Sequence, residues 1–164
     1  MRIPTKGGSK NGAAARRGSA GRDARKAEPG PVAGPFRVVL ADRRLASLAE
    51  TATRLERSGH EVVARVGSIR AALENAEYFK PDVLLVAPHL EDGLGVAAAL
   101  ACAKAHPAIA PIVLAPHPGA SNPAARPDWG NVALAPLDGT PEELDTIMRA
   151  AVARARSSGT GAGA

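Results

Sequence analysis

Residues 36–66 read FRVVLADRRLASLAETATRLERSGHEVVARV, and the order of textures within them decides the fold. FRVVLA at 36–41 is a short apolar run suited to a strand buried on both faces. From Arg43 to Ser58, Leu45, Leu48, Ala52 and Leu55 fall on one helical stripe, and Gly59 stands where a left-handed cap belongs. EVVARV at 61–66 is a second strand. Two such strands joined by a helix make a crossover unit, because parallel neighbours cannot be joined by a tight turn.

The same alternation continues down the chain. Ser68 can cap a helix carrying Ile69, Ala72, Leu73 and Ala76, which Lys80-Pro81 ends. DVLLVA at 82–87 is the most apolar strand, and a loop with Gly93 and Gly95 leads to an alanine-rich helix ending near His106-Pro107. PIVLA at 111–115 and NVALA at 131–135 are the fourth and fifth strands. Thr140-Pro141-Glu142-Glu143 then opens a last helix with an N-cap, a proline in the first turn and a capping-box glutamate. That helix turns Leu144, Ile147, Met148, Ala151 and Ala155 inward. Five strands alternating with helices predict a three-layer α/β sandwich around a parallel sheet. Between Ala115 and Asn131 the four prolines 116, 118, 123 and 127 leave room for only a short or eroded fourth helix.

Over residues 36–156 the segments RVVLADRR, SGHEVVARVGSIRAALE, KPDVLLVA, PIVLA and ALAPLDGTPEEL resemble the receiver domain of bacterial response regulators, the CheY-like family. The resemblance implies a flavodoxin-like strand order 2-1-3-4-5, with a reactive site beyond the carboxyl ends of strands one and three. It also implies a charge cluster there. An acidic pair after strand one would hold Mg²⁺, an aspartate ending strand three would accept phosphate, and a hydroxyl and a lysine after strands four and five would bind its oxygens. In this chain those positions read Asp42-Arg43, Ala87, Ala115 and Ala135, so only Asp42 keeps the family's chemistry. Pro136 and Gly95 match the family where it keeps a proline and a glycine. A lysine without its carboxylate partner would be a costly half-buried cation, so the joint loss is self-consistent. The expectation is a phosphorylation-independent pseudo-receiver. It would be no enzyme and use no cofactor, and it would bind another signalling protein or a second copy of itself. The family's usual contact face, formed by the fourth helix, fifth strand and fifth helix, would be remodelled by the eroded helix.

Composition narrows the alternatives. Of 164 residues, 45% are apolar and only 2% aromatic (Phe36, Tyr78, Phe79 and Trp129), so the core must be built from Ala, Val, Leu and Ile, and base-stacking surfaces are scarce. Residues 1–35 hold eight Lys/Arg against two Asp/Glu, leaving 13 against 14 for the rest, so the net charge of +5 belongs to the amino-terminal segment. That segment has no hydrophobic period and is expected to be disordered, as is 157–164. It is the basis of an alternative function, sequence-independent contact with nucleic-acid phosphates, although a solubilising or tethering extension with no specific partner is the more common fate of such a segment. No helix-turn-helix follows the receiver-like region. Secretory and membrane-spanning patterns are not seen, since the longest apolar stretch, Val96 to Ala103, is far below the roughly 18 residues of a membrane span. With a single cysteine, a reducing, cytoplasmic setting is expected. ADRRLA lacks phosphate-loop glycines, which argues against a nucleotide or other small-molecule substrate.

Other candidate residues have plainer readings. Asp42, His89, Asp92 and His117 fall at or beyond strand ends on one sheet edge and could ligate a metal, although they lack HxH or HxxxH spacing, and hydrated loop residues are the expectation. Cys102 among alanines reads as a small buried hydrophobe. Trp129 reads as an anchor for the segment before strand five, with projection as an interface anchor the alternative. Arg43, Arg44, Arg54 and Arg57, mixed with Glu50 and Glu56, read as the solvated face of the first helix.

Overall fold

The computed structural model describes residues 34–115 and 130–163, with side chains as far as 157 in the last helix. The elements run β1 (Arg37–Ala41), α1 (Leu45–Arg57), β2 (Glu61–Val66), α2 (Ile69–Phe79), β3 (Val83–Val86), β4 (His89–Leu90), β5 (Gly93–Leu94), α3 (Gly95–Ala105), β6 (Ala110–Ala115), β7 (Ala133–Pro136) and α4 (Pro141–Gly163). Five strands form one sheet in the order β2-β1-β3-β6-β7, and every neighbouring pair is parallel. This is the expected 2-1-3-4-5 topology, with the β4–β5 hairpin inserted after the third strand.

The period of two along each strand divides the core between the faces of the sheet. Val38, Leu40, Val83, Leu85, Ile112 and Leu114 pack with Leu48, Ala52 and Leu55 of α1 and Leu144, Met148 and Val152 of α4. Val39, Ala41, Leu84, Val86 and Val113 pack with Ala72 and Ala76 of α2 and Ala98, Ala99 and Cys102 of α3. Hence the central strands read as unbroken apolar runs. Between Val38 and Val39 the β1–β2 register shifts by one residue, at the edge of the sheet.

The end signals act as the residue types predict. Ser68 accepts a hydrogen bond from the backbone N–H of Ala71 at 3.0 Å. Thr140 Oγ1 accepts from the Glu143 N–H at 3.1 Å while Glu143 Oε1 accepts from the Thr140 N–H at 2.7 Å, a reciprocal capping box. Gly59 follows α1 with φ +93°. Lys80 closes α2 at φ 47°, just before Pro81.

Four expectations need correction. Leu45 is 81% exposed rather than on the buried stripe. It is the first residue of α1, and a side chain there leans toward the amino end of the helix. Arg43 and Arg44 precede α1 rather than lying along it, and Glu56 pairs with Arg65 of β2 at 3.9 Å rather than within the helix. The β4–β5 hairpin was not expected, because two-residue strands are too short to show a period. Finally, α4 runs to Gly163, through most of the 157–164 stretch expected to be disordered. No proline follows Pro141, and each glycine costs only about 1 kcal/mol relative to alanine inside a helix. The proline-rich segment in which an eroded helix was expected, with His117 and Trp129, and the amino-terminal segment as far as residue 33, lie outside the described residues.

Gly95 opens α3 against the end of β3. Its N–H donates to the Pro88 carbonyl at 2.8 Å, and a Cβ at this position would run into the Ala87 carbonyl oxygen. Gly95→Ala is therefore expected to lower stability by about 1–3 kcal/mol through forced backbone displacement, read as a lower midpoint in urea unfolding. An unchanged midpoint would show that the two segments do not meet this closely.

Candidate functional site

Parallel pairing carries the chain ends of β1 and β3 to the same edge. Ala41 is paired with Val86, and the Ala87 N–H donates to the Ala41 carbonyl at 2.8 Å. Asp42 follows β1, with its own N–H bonded to the Val66 carbonyl at 3.0 Å. Immediately beyond lies a cleft of about 280 Å³, lined by Asp42, Arg43, Arg44, Ala87, Pro88, His89 and Leu137. Asp42 is only 6% exposed. Its Oδ1 accepts the Arg44 N–H at 2.9 Å and lies 3.8 Å from Arg44 Nε. Arg43, Arg44 and His89 are exposed.

Of the five positions singled out from the sequence, Asp42, Arg43 and Ala87 thus line one cleft. Ala115 ends β6 and Ala135 lies in β7, where Ala135 is paired with Leu114 and Ala115 with Pro136. Both alanines are buried, and neither lines the cleft. Ala135 belongs to the core shared with Leu144 and Met148. Leu137 follows β7, its N–H bonded to the Ala115 carbonyl at 2.7 Å, and supplies part of the cleft wall.

Among the described residues the metal candidates Asp42, His89 and Asp92 are not all brought together. Asp42 and His89 share the cleft. Asp92 is committed elsewhere, for its carboxylate accepts the N–H of Ile69 at 2.6 Å and of Arg70 at 3.2 Å, so the hairpin caps α2. His117 lies outside the described residues. Among the described residues no group of three or more His, Cys, Asp or Glu side chains could hold a metal ion. Cys102 is fully buried, and burial pushes its thiol up to about 12, so it stays protonated and unreactive in the folded chain.

A second polar cluster, which no sequence spacing announced, lies at the opposite edge of the sheet, before β1 and β2. His60 is 6% exposed, and its ring stacks on Phe36 with centroids 5.3 Å apart. Its Nδ1 accepts the Phe36 N–H at 3.0 Å, which leaves the proton on Nε2 to be donated to Asp145 Oδ1 at 2.8 Å. Asp145 also pairs with Arg149 at 2.7 Å. These contacts join the starts of two strands to α4, and they close their own hydrogen-bonding needs.

No protein-family model and no curated protein matches this sequence. Solved structures do match. The signal receiver domain of the response regulator NarL from Mycobacterium tuberculosis is 24% identical, with a TM-score of 0.59 over 76% of this chain and 98% of that one. The receiver domain of an HD domain-containing protein from Pseudomonas fluorescens gives 17% identity and a TM-score of 0.62, covering 77% and 93%. The anti-anti-sigma factor PhyR from Bartonella quintana gives 18% identity and a TM-score of 0.61, covering 88% and 54%. The chain therefore spans about half the length of that PhyR. Topology and likeness agree that this chain has the CheY-like receiver fold of response regulators, a flavodoxin-like α/β sandwich. Among the described residues no helix is long and apolar enough to cross a membrane.

The two backbone hydrogen bonds that Asp92 accepts at the start of α2, led by that from Ile69, hold its carboxyl below the usual carboxylate range. A carboxyl lowered by folding adds stability above its unfolded pKa and loses it as pH falls through the folded value. Acid titration followed by NMR is therefore expected to move the Ile69 and Arg70 amides below the ordinary aspartate range, and Asp92→Asn is expected to abolish that transition. Retention of the transition in the variant would assign it to another group.

Proposed function

We propose that the chain is a pseudo-receiver, a module of receiver fold that works by binding another protein through its surface and does not take up phosphate at the family's usual position. The reading is carried by the side chains at the sheet edge: methyl groups at Ala87, Ala115 and Ala135, with Asp42 the single carboxylate in the cleft. A methyl group cannot attack phosphorus, and one carboxylate already engaged by Arg44 is a poor start for the near-octahedral oxygen shell of Mg²⁺. The hairpin, tied to α2 through Asp92, supports a surface held in one arrangement. The likeness to an anti-anti-sigma factor supports a regulatory protein as the kind of partner.

Incubation with acetyl phosphate and Mg²⁺, followed by intact-mass measurement, tests this reading. The expected result is an unmodified chain. A phosphorylated aspartate would overturn the proposal.

A second reading rests on the charge of the amino-terminal segment, eight Lys/Arg against two Asp/Glu in residues 1–35. Contact with nucleic-acid phosphates would show as affinity that falls steeply with salt and disappears when residues 1–35 are deleted. Affinity unchanged by the deletion would end this reading.

A further inference from the structure

We propose that the cleft beyond the carboxyl ends of β1 and β3 is a docking site for an acidic segment of a partner protein, with its carboxylates against Arg43, Arg44 and His89. The inference rests on the interaction-module reading and names the surface and the chemistry of the partner. It starts from the charges lining the cleft, which are two guanidinium groups and one carboxylate. Asp42 is nearly buried and its Oδ1 is taken by the Arg44 N–H, whereas both arginine side chains are exposed. The face shown to solvent is therefore cationic.

Arg43 also differs from several other arginines on the surface. Arg65, Arg70, Arg149 and Arg156 are paired with Glu56, Glu74, Asp145 and Asp82. Among the described residues Arg43 has no acidic partner, and Arg44 reaches only Asp42, at 3.8 Å. The adjoining first turn of α1 holds no acidic residue and its N-cap makes no side-chain hydrogen bond, so Asp42 is the one lining carboxylate that offsets the cationic field. Leu45, 81% exposed beside the arginines, offers an apolar contact for a residue flanking the acidic ones.

Size and surroundings favour a peptide over a nucleic acid. A volume of about 280 Å³ accommodates one or two carboxylate side chains. No Phe, Tyr or Trp lines the cleft for base stacking, and residues 36–164 hold 14 Asp/Glu against 13 Lys/Arg, which does not favour an extended phosphate backbone. A short acidic stretch meets the local cationic patch without crossing the acidic remainder.

The test is an NMR titration of the ¹⁵N-labelled full chain with hexaglutamate, with hexaglutamine as the uncharged control. Hexaglutamate alone is expected to shift the amides of Asp42 to Leu45 and His89. Affinity should fall about fivefold in each of Arg43→Ser and Arg44→Ser, the upper range for a surface ion pair. Both positions are exposed, and matching thermal melts would show that the variants fold. Shifts confined to residues 1–33, undiminished binding in the double variant, or stronger shifts of the same amides by an oligothymidylate would each overturn the proposal. Phosphorylation by acetyl phosphate would defeat the module reading itself, whereas a silent hexaglutamate titration of an unphosphorylated chain defeats the docking site alone.

Discussion

The parallel pairing of β1 with β3, buried on both faces, is the constraint on which the rest of the structure depends. Its register sets Ala41 beside Val86 and so brings Asp42 and Ala87 out at one edge. It also alternates Val38 and Leu40 toward α1 and α4 with Val39 and Ala41 toward α2 and α3. A slip by one residue would reverse every one of these side chains and move the cleft residues off a common edge. Packing and site thus have a single origin.

Charge at that edge follows from what the sheet can bury. A lysine at Ala135, in the core with Leu144 and Met148, would need a carboxylate partner close by, and the ends of the next two strands carry Ala115 and Ala87 instead. Alanine at 87, 115 and 135 lets the ends of three strands pack as core, and the cationic charge that remains sits on the rim, in Arg43 and Arg44. We propose on this basis that the edge recognises carboxylates carried by another chain.

Most of the fold was legible because its signals are local. The strands β1, β3 and β6 are continuous apolar runs, and Ser68, Gly59 and the Thr140–Glu143 pair act within a turn of where they stand. What stayed hidden depends on contacts between distant segments. The hairpin is held by Asp92 bonding to residues 22 and 23 positions earlier, and His60 meets Asp145 across 85 residues. For the site, strand topology sufficed to bring Asp42, Arg43 and Ala87 together. The cationic rim was obscured because periodicity assigned Arg43 and Arg44 to a helix that begins only at Leu45. Asp92 and His89 lie three residues apart, yet the hairpin gives one to α2 and the other to the cleft.

The most direct test of a sheet edge that lacks a metal-assisted phosphate site is paramagnetic broadening by Mn²⁺, which substitutes for Mg²⁺ on oxygen ligands. The account predicts that the amides of Asp42 and Ala87 broaden no more than those beside exposed carboxylates such as Glu74. Selective, saturable broadening at Asp42 and Ala87 would contradict it.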